Sequence, residues 1–276
     1  MIINHNIPAL TAHRQMGVNQ ANAQNSMEKL STGLRINKAG DDAAGLAISE
    51  KMRSQIRGLE QGSRNAQDGV SLIQTVEGAL TETHAMLQRM RELAVQANND
   101  TNTGGDDGDK AKLQLEVDRL SEEIQRIADT TKFNGQTIID GSGGPEGNGE
   151  FTFQIGANVG DTITITMGDM TAGTLTVDSL NIVDDAETAI GNIDDAIEAV
   201  SKERASLGAY QNRFEHTINN LNTSAENLTA AESRIRDTDM AAEMMEFTKN
   251  NILNQAAQAM LAQANQQPQG VLQLLR

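Results

Sequence analysis

Cysteine and tryptophan are absent from these 276 residues, and tyrosine occurs once, at Tyr210. Without thiols there is no disulfide, no thiolate metal site and no cysteine nucleophile. Aromatic residues make up 2% of the chain, so the rings that dominate burial in compact cores are scarce. No stretch approaches the roughly 18 consecutive apolar residues of a membrane span. The opening Met1-Ile2-Ile3-Asn4-His5 lacks a basic region followed by an apolar run, so no cleavable signal peptide is expected. There is also no basic patch of the kind that phosphate contact requires, which argues against nucleic acid as a partner.

What is present is small, amidated and helical in pattern. Residues 1–60 and 190–276 are rich in Ala, Asn and Gln, with apolar residues three and four apart. A core of Ala, Leu, Ile and twelve Met suits narrow seams between helices. The net charge of −16 is concentrated: residues 98–190 hold five basic against eighteen acidic side chains, whereas residues 1–60 hold seven basic against five acidic. Like charges repel when packed together. The middle is therefore expected to face water, and the near-neutral ends to be buried against other chains.

The periodicity predicts a mainly α fold of long antiparallel coiled-coil helices with a small β-hairpin region. A first helix should start at Pro8, where an early helical turn tolerates proline, and end near Ser31, with Gly33 interrupting it. Asp41 or Asp42 is placed to cap the next helix. That helix, about 43–97, carries inward positions Met52, Ile56, Leu59, Ser63, Ala66, Val70, Ile73, Val76, Leu80, Thr83, Leu87, Met90, Ala94 and Ala97. Two three-residue steps meet at Val70–Ile73–Val76, a one-place slip in the 3,4 alternation. A shorter helix is expected over about 109–130. Asn134-Gly135 predicts a tight turn. The run 141–149, with five glycines, reads as a flexible loop that should accept an insertion after Gly144. Phe151, Phe153 and Ile155, then Ile163, Ile165 and Met167, alternate as two strands of a hairpin. Residues 174–183 are a candidate further strand. From Ile190 to Ile235 a seam including Ile193, Ile197, Val200, Leu207, Phe214, Ile218 and Leu221 keeps an unbroken 3,4 alternation, the signature of coiled-coil packing. Residues 240–276 are helical again and end in Val271, Leu272, Leu274 and Leu275. Such an apolar end needs cover, which makes those four candidate polymerisation residues.

Catalytic and metal chemistry find little footing. His5, His13, His84 and His216 are scattered, without ligand-pair spacing. The stretch from Asp100 resembles a calcium loop only in part, because its twelfth position is Ala111 and not the bidentate Glu. No phosphate-binding glycine motif occurs. The chain is expected to be no enzyme and to use no cofactor.

Several segments resemble bacterial flagellin. Leu30 to Asn37 (LSTGLRIN) and Lys38 to Met52 (KAGDDAAGLAISEKM) are similar to the family's N-terminal signature. Arg64 to Ser71, Leu87 to Gln96 and Lys132 to Gly135 continue it. Ala231 to Met244 and Gln255 to Arg276 resemble the C-terminal signature. The resemblance covers about 1–140 and 185–276. It implies a structural subunit that polymerises into the extracellular flagellar filament used for motility. It also implies residues 1–42 with 236–276 as a terminal coiled-coil inner domain, and 43–235 as a helical bundle with a hairpin region at about 133–183. Residues 140–185, where larger relatives insert whole domains, leave room for no large outer domain. Implied partners are further copies of the chain, the flagellar export apparatus and an export chaperone, the filament cap and hook-junction proteins. In relatives sensed by the flagellin-recognising Toll-like receptor of animals, a Gln-Arg…Leu cluster and a Glu make the contact; Gln88, Arg89, Leu93 and Glu116 match them, and between subunits they would serve as contacts. The alternatives are a hook–filament junction protein of the same superfamily, or a coiled-coil chaperone or adhesin.

Overall fold

The computed structural model describes residues 6–99 and 108–274, with side chains described to 266 in the last helix. Five helices and two small antiparallel hairpins account for its regular structure: α1 (Ile7–Thr32), α2 (Ala43–Ala97), α3 (Asp109–Thr130), β1 (Lys132–Phe133), β2 (Gln136–Thr137), β3 (Glu150–Gln154), β4 (Thr162–Thr166), α4 (Ala186–Arg236) and α5 (Met240–Leu274). The mainly α expectation holds. The chain divides into two compact units, Met1–Gln55 with Glu226–Arg276, and Ile56–Ala225. No described helix is long and apolar enough to cross a membrane.

Local chemistry sets the helix ends. The Asn6 side chain accepts from the Ala9 amide at 3.2 Å, and Pro8 occupies the first turn of α1. Gly33, at φ 72°, turns the chain out of α1 while donating to the Lys29 carbonyl, the left-handed cap that glycine adopts without a Cβ clash. Both aspartates after it are used, for different purposes. Asp41 accepts from the Asn37 and Lys38 amides at 3.0 and 2.9 Å, which closes the 37–41 turn. Asp42 accepts from the Gly45 amide at 2.9 Å and caps α2. Asp239 accepts from the Ala241 and Ala242 amides and caps α5.

In the 56–225 unit, α2 and α4 run antiparallel. Partner positions descend on one helix as they rise on the other: Arg91 with Asp194 at 2.6 Å, Glu77 with Arg204 at 3.8 Å, Ser63 with Asn222 at 3.3 Å. Between them lie Ala66, Ile73, Val76, Leu80, Leu87 and Met90 from α2, and Ile193, Val200, Leu207 and Phe214 from α4, all buried. The seam slips where the 3,4 alternation broke. Val70 is only half-buried and Gly69 is buried in its place, because the Phe214 ring fills the notch: a Cβ on Gly69 would stand 2.9 Å from its tip.

The β3–β4 hairpin pairs Phe151 with Ile165 and Phe153 with Ile163, so every second residue faces the core. Its loop lies on α2 through two helical glycines. A Cβ on Gly62 would collide with the Ile155 carbonyl, and one on Gly58 would meet Ala157 at 2.7 Å. Asn65 fixes the contact by donating to the Gln154 carbonyl at 2.8 Å. The β1–β2 turn is Asn134-Gly135, with φ 50° and 84°, the doubly left-handed geometry that favours this dipeptide.

Two sequence expectations are corrected here. Residues 174–183 form no strand. Leu175, Val177, Leu180 and Ile182 are buried, but no strand pairs with them: the Leu175 and Val177 amides donate to the Thr171 and Ala172 carbonyls at 3.0 and 2.9 Å, and Gln114 donates to the Leu180 carbonyl at 2.7 Å and accepts from the Ile182 amide at 2.8 Å. At 180–182 one side-chain amide thereby does the work of a neighbouring strand. The 141–149 segment is not a slack loop either. The Gly147 amide donates to the Gly144 carbonyl, and the Gly149 amide to the Gly143 carbonyl at 2.8 Å. Gly144, at φ 88°, packs so closely on the Glu150 carbonyl that no Cβ fits.

The other unit joins α1 and α5 with the adjoining ends of α2 and α4. Leu34 bridges Asp237, the Arg35 amide donates to the Arg236 carbonyl at 2.7 Å, and the Arg35 guanidinium donates to the Ile235 carbonyl at 2.6 Å. The guanidinium thus caps carbonyls that the end of α4 leaves free. Arg236 pairs with Glu50 at 2.8 Å, and Arg53 with Glu232 at 3.1 Å. Helices α1 and α5 are antiparallel: Asn6 donates to the Ala264 carbonyl at 2.8 Å, and Thr238 donates to the Gly33 carbonyl at 3.0 Å.

Candidate assembly surface

The α1–α5 pair is polar where helix pairs are usually apolar. Its buried positions are Asn19, Ala23, Ser26, Asn250 and Ala264. Ten of its large apolar side chains are exposed, Ile7, Leu10, Val18 and Met27 on α1 and Met240, Met244, Met245, Ile252, Leu253 and Met260 on α5, while Met16, Leu30, Phe247 and Leu261 are half-buried. In the 56–225 unit only Val95, Leu115 and Val159 are large, apolar and exposed among the described residues. A groove of about 590 Å³ between the two helices is lined mostly by Ile7, Pro8, Ala12, Leu253, Ala257 and Met260. Burying a Leu, Ile or Met side chain is worth about 1.5–3 kcal/mol, and each of these, at 40–70% exposure, forgoes a large part of that gain when the chain is alone. An exposed apolar surface on this scale marks a contact with another molecule.

The four candidate polymerisation residues bear on this surface only in part. Val271, Leu272 and Leu274 fall within α5, beyond the described side chains, and Leu275 lies outside the described residues. The Asp100–Asp107 stretch, where the calcium-loop likeness begins, also lies outside the described residues.

Of the second candidate set, on α2 and α3, the structure joins Arg89 to Glu116, leaves Gln88 exposed on α2 and buries Leu93. The Arg89 guanidinium donates to Glu116 at 2.9 Å and to Glu92 at 3.1 Å. These carboxylates, Glu116 foremost, raise Arg89 further above its ordinary basicity. Gln88 is exposed and contacts His84 Nε2 at 2.9 Å. Leu93, by contrast, is 1% exposed and belongs to the core. Gln88, Arg89 and Glu116 are thus exposed, whereas Leu93 packs in the core of the 56–225 unit.

Among the described residues, no group of three His, Asp or Glu side chains converges on a metal position. Sequence reasoning missed two features. One is the glycine pair Gly58 and Gly62, four apart on one face of α2, which admits the hairpin loop; a glycine pair within a helical pattern was the available signal. The other is the outward apolar face of α1, hidden because its exposed and buried positions both alternate between Ala, Asn and larger residues.

The described geometry is that of a helical subunit built to join others, and the comparisons agree with it. The chain matches the bacterial flagellin N-terminal helical region over residues 3–143 and the bacterial flagellin C-terminal helical region over 190–275. It belongs to the flagellin family. It is 60% identical to a flagellin of Halalkalibacterium halodurans over 280 residues and 55% identical to a flagellin of Bacillus subtilis over 305 residues, each alignment covering 100% of both chains. It is 52% identical to the flagellar filament 33 kDa core protein of Treponema phagedenis, again over 100% of both. Among solved structures, Bacillus cereus flagellin superposes with a TM-score of 0.50 at 37% identity, covering 61% of this chain and 94% of that one. A putative flagellar hook-associated protein from Vibrio parahaemolyticus gives a TM-score of 0.58 at 14% identity, covering 71% and 100%; that likeness is one of fold alone.

Proposed function

We infer that this chain is a structural, non-enzymatic subunit that polymerises through its terminal helices into the extracellular flagellar filament, which serves motility. The observation that carries this is the inverted α1–α5 pair, with Asn19, Ser26 and Asn250 inside and Leu10, Ile252, Leu253 and Met260 outside. That arrangement gains stability only when other copies cover it. In this reading residues 1–42 with 236–276 form the inner part of the filament, residues 43–235 form the wall around it, and the acidic middle faces outward. The C-terminal Val271, Leu272, Leu274 and Leu275 complete the inner contact. Both ends fold fully only on assembly, since a thin apolar seam leaves an isolated helix marginal in water.

Gln88, Arg89 and Glu116 make a contact between subunits, and the same face, free in the monomer, is what a flagellin-sensing animal receptor would meet. The flagellar export apparatus, an export chaperone, the filament cap and hook-junction proteins complete the expected partners. No observation favours the hook-junction alternative.

Electron microscopy of purified protein under polymerising conditions tests the reading: long tubular filaments are expected, and short junction-like oligomers would overturn it. A chain ending at Gln267 should keep the melting transition of the 56–225 unit yet grow no filaments. Filament growth at the parental rate would remove the C-terminal residues from the contact. Limited proteolysis should trim both ends of the monomer but spare them in the filament.

A further inference from the structure

The exposed methionines are unevenly placed. Met27, Met240, Met244, Met245 and Met260 are 48–69% exposed, and all five belong to the terminal unit. In the 56–225 unit Met90 and Met167 are buried, and Met86 and Met170 are half-buried. Two hollows on the outward face of α5 are lined by members of the exposed set. Met244 and Met245 line one of about 390 Å³ with Thr248, Lys249 and Ile252, and Met260 lines the α1–α5 groove with Leu253. The polar donors of the first hollow are already engaged: the Thr248 hydroxyl donates to the Met244 carbonyl at 2.8 Å, and Lys249 Nζ donates to Glu246 at 3.1 Å. The chain has no cysteine, so thioethers are its only sulfur and a two-electron oxidant meets no thiol first.

We propose that Met244, Met245 and Met260 form an oxidation site that switches assembly: a peroxide converts them to sulfoxides in the free chain, and the sulfoxides keep a neighbouring copy from docking. The proposal rests on the assembly reading above. In the step, the thioether sulfur attacks one peroxide oxygen. An S–O bond forms as the O–O bond breaks, the other oxygen leaves as water, and the two electrons lost by sulfur reduce the peroxide. A flexible apolar side chain becomes a polar acceptor. Covered by the apolar side chains of another copy, that acceptor has no donor, and a buried polar group without a partner is costly. In the filament the same sulfurs are covered, so the switch acts on chains before they join. Met90 and Met167 are shielded by the core, so the fold of the 56–225 unit survives the oxidant.

The test treats the full-length monomer with dilute hydrogen peroxide and maps the added oxygen by peptide mass spectrometry. Met244, Met245 and Met260 should gain oxygen well before Met90 and Met167. Elongation from preformed filament fragments should then be lost, while the melting transition of the 56–225 unit stays unchanged. Methionine sulfoxide reductases acting on both epimers, with a dithiol, should restore growth. A chain carrying Met244→Leu, Met245→Leu and Met260→Leu, swaps that nearly conserve apolar volume, should elongate as well after peroxide as before it. Undiminished elongation of the oxidised parent, no rescue by the reductases, or loss of elongation in the peroxide-treated leucine chain would each overturn the proposal. Equal oxidation of the three methionines in filaments and in monomers would also overturn it, by placing them off the contact. Untreated protein that forms no filaments would instead sink the assembly reading, so the two failures are distinct.

Discussion

The ring of Phe153 stands edge-on to the ring of Phe214, with centroids 5.7 Å apart and planes at 89°. This contact joins β3 to α4, and Gly69 of α2 closes the third side. Three distant stretches of sequence thus meet at the one aromatic pair among the described residues. Edge-to-face pairs contribute about 0.5–1.5 kcal/mol beyond area burial. Phe214→Ala should destabilise the 56–225 unit by about 3–5 kcal/mol. Gly69→Ala should cost about 1–3 kcal/mol by overpacking, although alanine is the better helix former. Urea unfolding of both variants checks this, and a stabilised Gly69→Ala would show that the notch is not filled.

Along the same seam, burial ranks the leucines. Leu207 is 1% exposed and Leu221 is 8% exposed. Leu→Ala substitutions in such positions cost about 2–5 kcal/mol, so both should lower the melting temperature, Leu207→Ala by more. Ser206→Ala, on the half-buried flank, should change it little. A flat response across the three would show the seam to be misplaced.

Insertion tolerance should differ between the two loops that flank β3. An epitope after Val159, which is fully exposed, lengthens a loop at small entropic cost and should leave the monomer's melting curve intact. The same epitope after Gly144 would separate Gly144 and Gly143 from the amides of Gly147 and Gly149, and should lower stability. Antibody access to the Val159 epitope on intact filaments is the second readout.

Acid should loosen the turn before α2. The amides of Lys38 and Asn37 hold the Asp41 carboxyl below its usual value of 3.8. A lowered folded-state pKa stabilises fully above the unfolded value and is lost as pH falls through the folded one. Protection of the Asn37 and Lys38 amides from hydrogen exchange should therefore persist at pH 5 and fail only below about 3.8. Asp41→Asn should remove that pH dependence. Unchanged protection down to pH 2 would mean that the carboxylate does not hold the turn.

Much of this fold is written in periodicity and punctuation. Pro8, Gly33, Asp42 and Asn134-Gly135 each fix a local dihedral or a nearby amide, so their effects are readable without tertiary context. The 3,4 seam of α4 is readable for a similar reason, since burial on a helix repeats along the chain. What was not legible depends on a partner far away in sequence. Gly69 replaces Val70 in the seam because of a ring 145 positions later. The 174–183 stretch looks like a strand because its apolar residues alternate, and its backbone is satisfied instead by turns onto Thr171, Ala172 and Gly173 and by Gln114. Leu93 matched a contact motif by position, and its burial follows from packing that no motif records. The outward face of α1 and α5 was legible only as a thin apolar stripe. Its direction emerged once Asn19, Ser26 and Asn250 were seen inside.

That inside-out pair has a kinetic consequence. The first copies to meet cover only part of one another's outward Leu, Ile and Met side chains, while each surrenders the full entropy of ordering its ends. A copy joining an existing tip meets several prepared surfaces together and recovers more burial for the same ordering. Starting a new fibre is therefore the slow event and lengthening an old one the fast event, so solutions of this protein should show a lag that preformed fragments abolish.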